Sequence, residues 1–83
     1  MLQVLFFARV REALQTDALE LPLNSDTHSL EALREHLCQR SGQWREILSE
    51  PNLLRAVNHA VVHGDQALKD GDEVAFYPPV TGG

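Results

Sequence analysis

Cysteine is nearly absent from this chain: Cys38 is the only one among 83 residues, so no disulfide framework can staple the fold. A reducing, intracellular location fits that count. Aromatic residues make up only 6% of the sequence. Long hydrophobic runs are missing too, and the longest, Val4-Leu5-Phe6-Phe7-Ala8, is far too short to cross a bilayer. Met1-Leu2-Gln3 lacks the charged and apolar regions of a signal peptide, so the expected location is cytoplasmic, with no membrane partner. Basic residues are in deficit, seven Lys and Arg against twelve Asp and Glu, for a net charge of −5. A phosphate backbone would be repelled by that charge, and Arg9, Arg11, Arg34, Arg40, Arg45 and Arg55 are too scattered to form a basic stripe. Nucleic acid is therefore not an expected partner. No glycine loop able to cradle phosphate occurs, so any ATP must be bound by another protein and no cofactor is expected on this chain.

What remains is one small domain with an ordinary apolar fraction of 43%. Leu2, Val4, Phe6 and Ala8 alternate with Gln3, Leu5, Phe7 and Arg9, which predicts a strand over 2–10 with the first set facing the core. Leu19, Leu21 and Leu23 alternate with polar residues and predict a second strand, joined to the first as a hairpin through the polar stretch 11–17. Ser29 has the character of a helix N-cap, and Leu30, Leu33, Leu37 and Cys38 share one helical face. That helix is expected to end near Ser41-Gly42, with glycine as the left-handed cap. A short helical piece follows over 44–48, then strands over 53–57, 60–63 and 73–77, with a bend at Asn58-His59. Strand, strand, helix, short helix, strand, strand is satisfied by a mixed sheet with one helix across one face, an α+β arrangement. The β-grasp of ubiquitin is one architecture of this kind, and pattern alone does not single it out.

The most informative residues are the last two. Gly82 and Gly83 carry no Cβ, so this backbone can enter a channel too narrow for other residue types. From Val74 onward no side chain is charged, leaving the terminal carboxylate as the expected charge at this end. Pro78-Pro79 cannot continue a ladder and stiffens the exit. The carboxylate itself is the expected reactive group, with residues 1–77 as a globular domain and 78–83 as an extended tail.

The chain resembles the small, sulfur-carrying subunits of molybdopterin synthase, members of the ubiquitin-like sulfur carriers. The resemblance covers essentially the whole length. It is carried by Val4-Leu5-Phe6-Phe7-Ala8 with Arg11-Glu12, Leu30-Glu31-Ala32-Leu33, Ala56-Val57-Asn58, and above all the run from Leu68 through Gly71-Asp72-Glu73-Val74 and Pro78-Pro79 to Gly82-Gly83. Tyr77 stands where Phe is more usual. The resemblance implies a β-grasp fold and a cycle at Gly83. A ubiquitin-activating-type adenylyltransferase uses ATP to make a glycyl-adenylate there, and a sulfur donor protein replaces AMP to give a thiocarboxylate. The tail, Pro78, Pro79, Val80, Thr81, Gly82 and Gly83, then enters the large synthase subunit and gives sulfur to a cyclic pyranopterin phosphate. Two small and two large subunits are implied. Phe7, Val61 and Tyr77 match positions of apolar contact with partners, and Arg11 that of a rim charge; for Phe7 and Tyr77 an ordinary core role stays open.

Two other readings stand beside this one. A carrier for thiamine or transfer-RNA thiolation would share Gly-Gly, but segment 44–54 and the Phe-Tyr-Pro-Pro ending fit it less well. A β-grasp interaction module would use no tail chemistry at all. Other residues offer little. His59 and His63 have zinc-ligand spacing only on a helix, and in strand sequence they fall about 13 Å apart. Cys38 lies on the apolar stripe and reads as core. Asp70, Asp72 and Glu73 lack the further ligands of a calcium loop and read as a solvated turn. No metal is expected, and the absence of an acid–base or nucleophile constellation argues against a free-standing enzyme.

Overall fold

The computed structural model describes residues 1–79, and residues 80–83 lie outside the described part. The elements run β1 (Leu2–Phe6), α1 (Ala8–Leu14), β2 (Ala18–Leu21), α2 (Leu30–Cys38), α3 (Gly42–Leu48), β3 (Leu54–Val57), β4 (Ala60–Val61) and β5 (Glu73–Tyr77). They form one five-stranded sheet in the order β2-β1-β5-β3-β4. The first and last strands are central neighbours and run parallel, with Val4 opposite Val74 and Phe6 opposite Phe76. The remaining pairs are antiparallel. This is the β-grasp.

Alternation in β1 and β5 builds the core. Leu2, Val4 and Phe6 from β1 and Val74 and Phe76 from β5 are buried on the helix side, against Leu30, Leu33 and Leu37 of α2 and Leu48 of α3. Phe6 stacks on Phe76 with ring centroids 5.9 Å apart and receives Trp44 edge-on at 5.5 Å. The aromatics are few but concentrated at this one junction. Cys38 is buried, as its stripe predicts. The connection from β2 to α2 is pinned by buried Thr27, whose hydroxyl donates to Pro22 O at 2.7 Å and accepts from Asn24 N at 3.0 Å.

The structure corrects three sequence expectations. The first strand ends at Phe6, because Ala8 takes φ 52° and turns the chain into α1. Val10 and Leu14, one helical turn apart, are buried by that helix, so the segment read as strand end and polar hairpin is an amphipathic helix. Ala8, expected in the core, is exposed. The main helix stops at Cys38, and Gly42 is not its left-handed cap. Instead Ser41 caps the next helix, its side chain accepting from Trp44 N at 3.2 Å, and Gly42 is that helix's first residue. The strand expected over 60–63 shrinks to Ala60–Val61.

Asn58-His59 is a tight left-handed turn, with φ of 50° and 71°. Asn58 suits it because its side chain bonds locally in that conformation. Its Nδ2 donates to Asp72 Oδ1 at 2.9 Å and its Oδ1 accepts from Glu73 N at 3.0 Å. Asp72 in turn accepts from Lys69 N at 2.8 Å. The acidic turn thus holds the start of β5 in place. We expect Asn58→Ala to destabilise the fold by about 1–3 kcal/mol, from two lost bonds plus left-handed strain. Asn58→Gly should recover only the strain, and urea denaturation of the two variants separates the contributions.

Candidate functional site

Register decides which side chains share the sheet's helix-free face. Opposed residues on paired strands point the same way, so Val61, Ala56, Ala75, Leu5 and Ala18 form one row across all five strands. Every member is apolar. On one side of this row lie Glu73, Gln3 and Glu20, the last two joined at 2.8 Å. On the other lie Tyr77 and its partner Leu54. Phe7 follows directly, its backbone N donating to Phe76 O at 3.2 Å. The face grades from a polar end, through an uncharged band, to the end where the chain leaves β5.

Phe7 is 44% exposed and Val61 49%, the largest exposures of big apolar side chains after Met1 among the described residues. Neither is a core residue. Tyr77 is half-buried, and Arg11 is exposed on α1. The structure therefore brings Phe7, Tyr77 and Val61 to the same sheet, while Arg11 lies on the helix that leaves it. Leu5, Leu54 and Ala75 belong to the same face, and only the cross-strand register, invisible in the sequence, groups them with Val61. Pro78 is half-buried and Pro79 exposed at the root of the tail. Val80, Thr81, Gly82 and Gly83 lie outside the described residues.

Of the other sequence candidates, Glu73 stands at the polar end of this face and the rest lie outside the apolar row. His59 is at the hairpin tip, with Nε2 3.2 Å from Glu73 Oε2. His63 lies beyond β4. Among the described residues, no three His, Cys, Asp or Glu side chains converge as metal ligands. No described helix is long and apolar enough to cross a membrane.

A family profile described as the ThiS family matches residues 4–83. The chain belongs to the ThiS family. Within it, the chain is 52% identical to the molybdopterin synthase sulfur carrier subunit of Escherichia coli (strain K12) and 47% identical to that of Haemophilus influenzae, each over 100% of both chains. These matches bear out the resemblance read from the tail motif. Among solved structures, a chain of the protein–protein complex of subunit 1 and 2 of molybdopterin-converting factor from Helicobacter pylori 26695 superposes with a TM-score of 0.71. It is 25% identical, over 99% of this chain and 97% of that one.

Electrostatics at the start of α2 tie this ThiS-family sheet to its helix. Arg55 of β3 donates to Glu31 and holds its carboxyl below the usual range, against the opposing effect of burial. Asp65 accepts from Glu31 N at 2.8 Å, which lowers its carboxyl too. Depressed folded pKa values mean that this stability is complete above the carboxylates' usual pKa and is lost as pH falls through the folded values. We expect the melting temperature to hold above about pH 5 and to drop below about pH 4. Melting curves of wild type and Glu31→Gln should differ most near neutral pH and converge on acidification.

Proposed function

We propose that the chain is the sulfur carrier of molybdopterin synthesis, acting as the small subunit of the synthase. The observation that carries this reading is full-length identity of 52% to a molybdopterin synthase sulfur carrier subunit, running through the Gly82-Gly83 end. The geometry supports it. The tail leaves the centre of the sheet rather than an edge, beside the uncharged band of the helix-free face, which can seat against another protein. Six residues, Pro78 to Gly83, reach roughly 20 Å when extended at about 3.3 Å each. The reactive end can then sit inside a partner while the globular body stays outside.

The chemistry follows from the carboxylate. Ionised at neutral pH, with a pKa of about 3.5, it is a poor electrophile. An adenylyltransferase joins it to AMP from ATP, with release of pyrophosphate. A donor protein then supplies sulfur as hydrosulfide, which attacks the Gly83 carbonyl carbon; AMP departs with the electron pair of the broken C–O bond, a proton is released, and a thiocarboxylate remains. In the synthase that sulfur passes to the pyranopterin. This chain supplies the carried group, Gly82 keeps the channel passable, and the catalytic groups belong to the partners. The cycle is cytoplasmic in this reading, and the working synthase has two small and two large chains.

Exact-mass analysis of the isolated C-terminal peptide, from protein made in its native host without a C-terminal tag, tests the cycle directly. Sulfur in place of one oxygen on Gly83 is the expected result. Using the peptide excludes oxidation at Met1 or Cys38, which shifts the whole-protein mass almost equally. A plain carboxylate that persists after ATP, activating enzyme and sulfur donor would overturn the carrier reading. A Gly82→Val variant should keep its melting temperature and lose sulfur transfer, and restored transfer would refute the channel. Val61→Asp should weaken binding to the large subunit by roughly tenfold or more with little change in stability, read by titration calorimetry.

A further inference from the structure

A cleft of about 650 Å³ opens beside the root of the tail, with Pro79 in its wall. Arg34 of α2 and Arg55 of β3 line it, together with Glu31, Glu50 and His63. These two arginines have side chains only 23% and 16% exposed. They share one carboxylate: Glu31 Oε1 accepts from Arg55, and Oε2 accepts from Arg34 at 3.4 Å. Glu50 is engaged elsewhere, its Oε1 accepting from Arg9 Nη1 at 2.8 Å. The lining thus carries two guanidinium and two carboxylate groups, but Glu50 is taken by Arg9, so Glu31 is the carboxylate that Arg34 and Arg55 must share.

Arg34 is the looser of the two. Its contacts are Glu31 Oε2 and Ser49 Oγ at 3.4 Å and Cys38 Sγ at 3.6 Å. Charge-assisted bonds normally close to about 2.7–2.9 Å, so this fork is under-used. Arg55, by contrast, also donates to Gly64 O at 2.9 Å. Water can complete the Arg34 shell while the cleft is open. Once another surface covers it, a cation with only a long, shared carboxylate contact becomes costly unless that surface brings a further negative group.

We propose that this cleft is a carboxylate-binding subsite, in which the Arg34 guanidinium takes an aspartate or glutamate side chain of the protein that receives the tail. The inference rests on the carrier reading, because a partner that draws in the tail must close over its root and the cleft beside it. It adds a polar anchor on the helix side of the tail root to the apolar band on the helix-free face. The tail is then gripped from both sides, and the acidic chain presents a local positive contact where the partner closes.

Binding of the large synthase subunit to wild type, Arg34→Gln, Arg34→Lys and a chain lacking Gly82-Gly83 tests this. Titration calorimetry gives Kd, and sulfur transfer gives KM and kcat for the carrier. Arg34→Gln should raise Kd and KM roughly tenfold with kcat retained, and Arg34→Lys, which keeps the charge without the fork, should recover part of the loss. An Arg34→Gln Kd within about twofold of wild type would overturn the subsite, since losing a charge-assisted contact costs more than that. If Arg34→Gln lowers the melting temperature, the salt dependence of wild-type binding is read in its place: binding that weakens with added salt is expected, and binding indifferent to salt would overturn the subsite. Loss of transfer on removing Gly82-Gly83 tests the carrier reading separately. Transfer that survives that deletion would end the carrier reading, while the Kd comparison would still decide the subsite.

Discussion

Parallel pairing of β1 with β5 is the constraint on which the rest of the structure depends. It brings the first and last strands to the middle of the sheet and sets Phe6 against Phe76, the pair around which the core closes. Parallel neighbours cannot be joined by a tight turn, so every other element serves as crossover between them. With β5 central, the residues after Tyr77 emerge flanked by β1 on one side and β3 on the other. The exit is thereby framed by Phe7, Leu54 and Tyr77 rather than left at a ragged edge.

A division of labour between the sheet's two faces follows. Alternation sends Val4, Phe6, Val74 and Phe76 inward to the helices and leaves Leu5, Ala75 and Tyr77 outward. The outward row is small in the middle, with Ala56 and Ala75, and the face grows bulkier toward the tail, at Leu54 and Tyr77. Such a face offers close approach of another surface without deep pockets. The charges that do occur near the tail root are on the helix side, where Glu31 bridges Arg34 and Arg55. Near the tail root apolar contact and ionic contact are thus segregated, one per face, while the Glu73–His59 pair sits at the sheet's opposite end.

Much of this was legible in the sequence, for identifiable reasons. The β5 pattern placed its strand at the residues where it is found, and the β1 pattern fixed the core set Leu2, Val4 and Phe6 while overrunning the strand's end. Ser29 announced α2 because a capping serine ahead of a leucine stripe has few other uses. The failure at α1 is equally physical. Only Val10 and Leu14 are buried in a seven-residue helix, and two apolar positions cannot outvote a strand pattern running straight into them. At Gly42 a glycine suggested a terminus, yet the adjacent Ser41 supplied a cap for the following helix, and the side-chain bond prevailed. The resemblance to the sulfur carrier subunits was readable because it rests on residue types, the Gly82-Gly83 end above all. Leu5, Leu54 and Ala75 were not assigned to the site, because sharing a face with Val61 is a property of register, and so was the Arg34 cleft, built from α2 and β3.

The brevity of the sheet's outer strands has its own consequence. β4 offers two residues and β2 four, so each rim presents only a short ladder to another chain's backbone. The apolar row nevertheless runs out to both rims, through Val61 and Ala18. A molecule with this surface would be prone to zip edge to edge into fibres if its rims were long. Rims this short let the molecule carry an exposed apolar face without offering another chain's backbone a long ladder to extend.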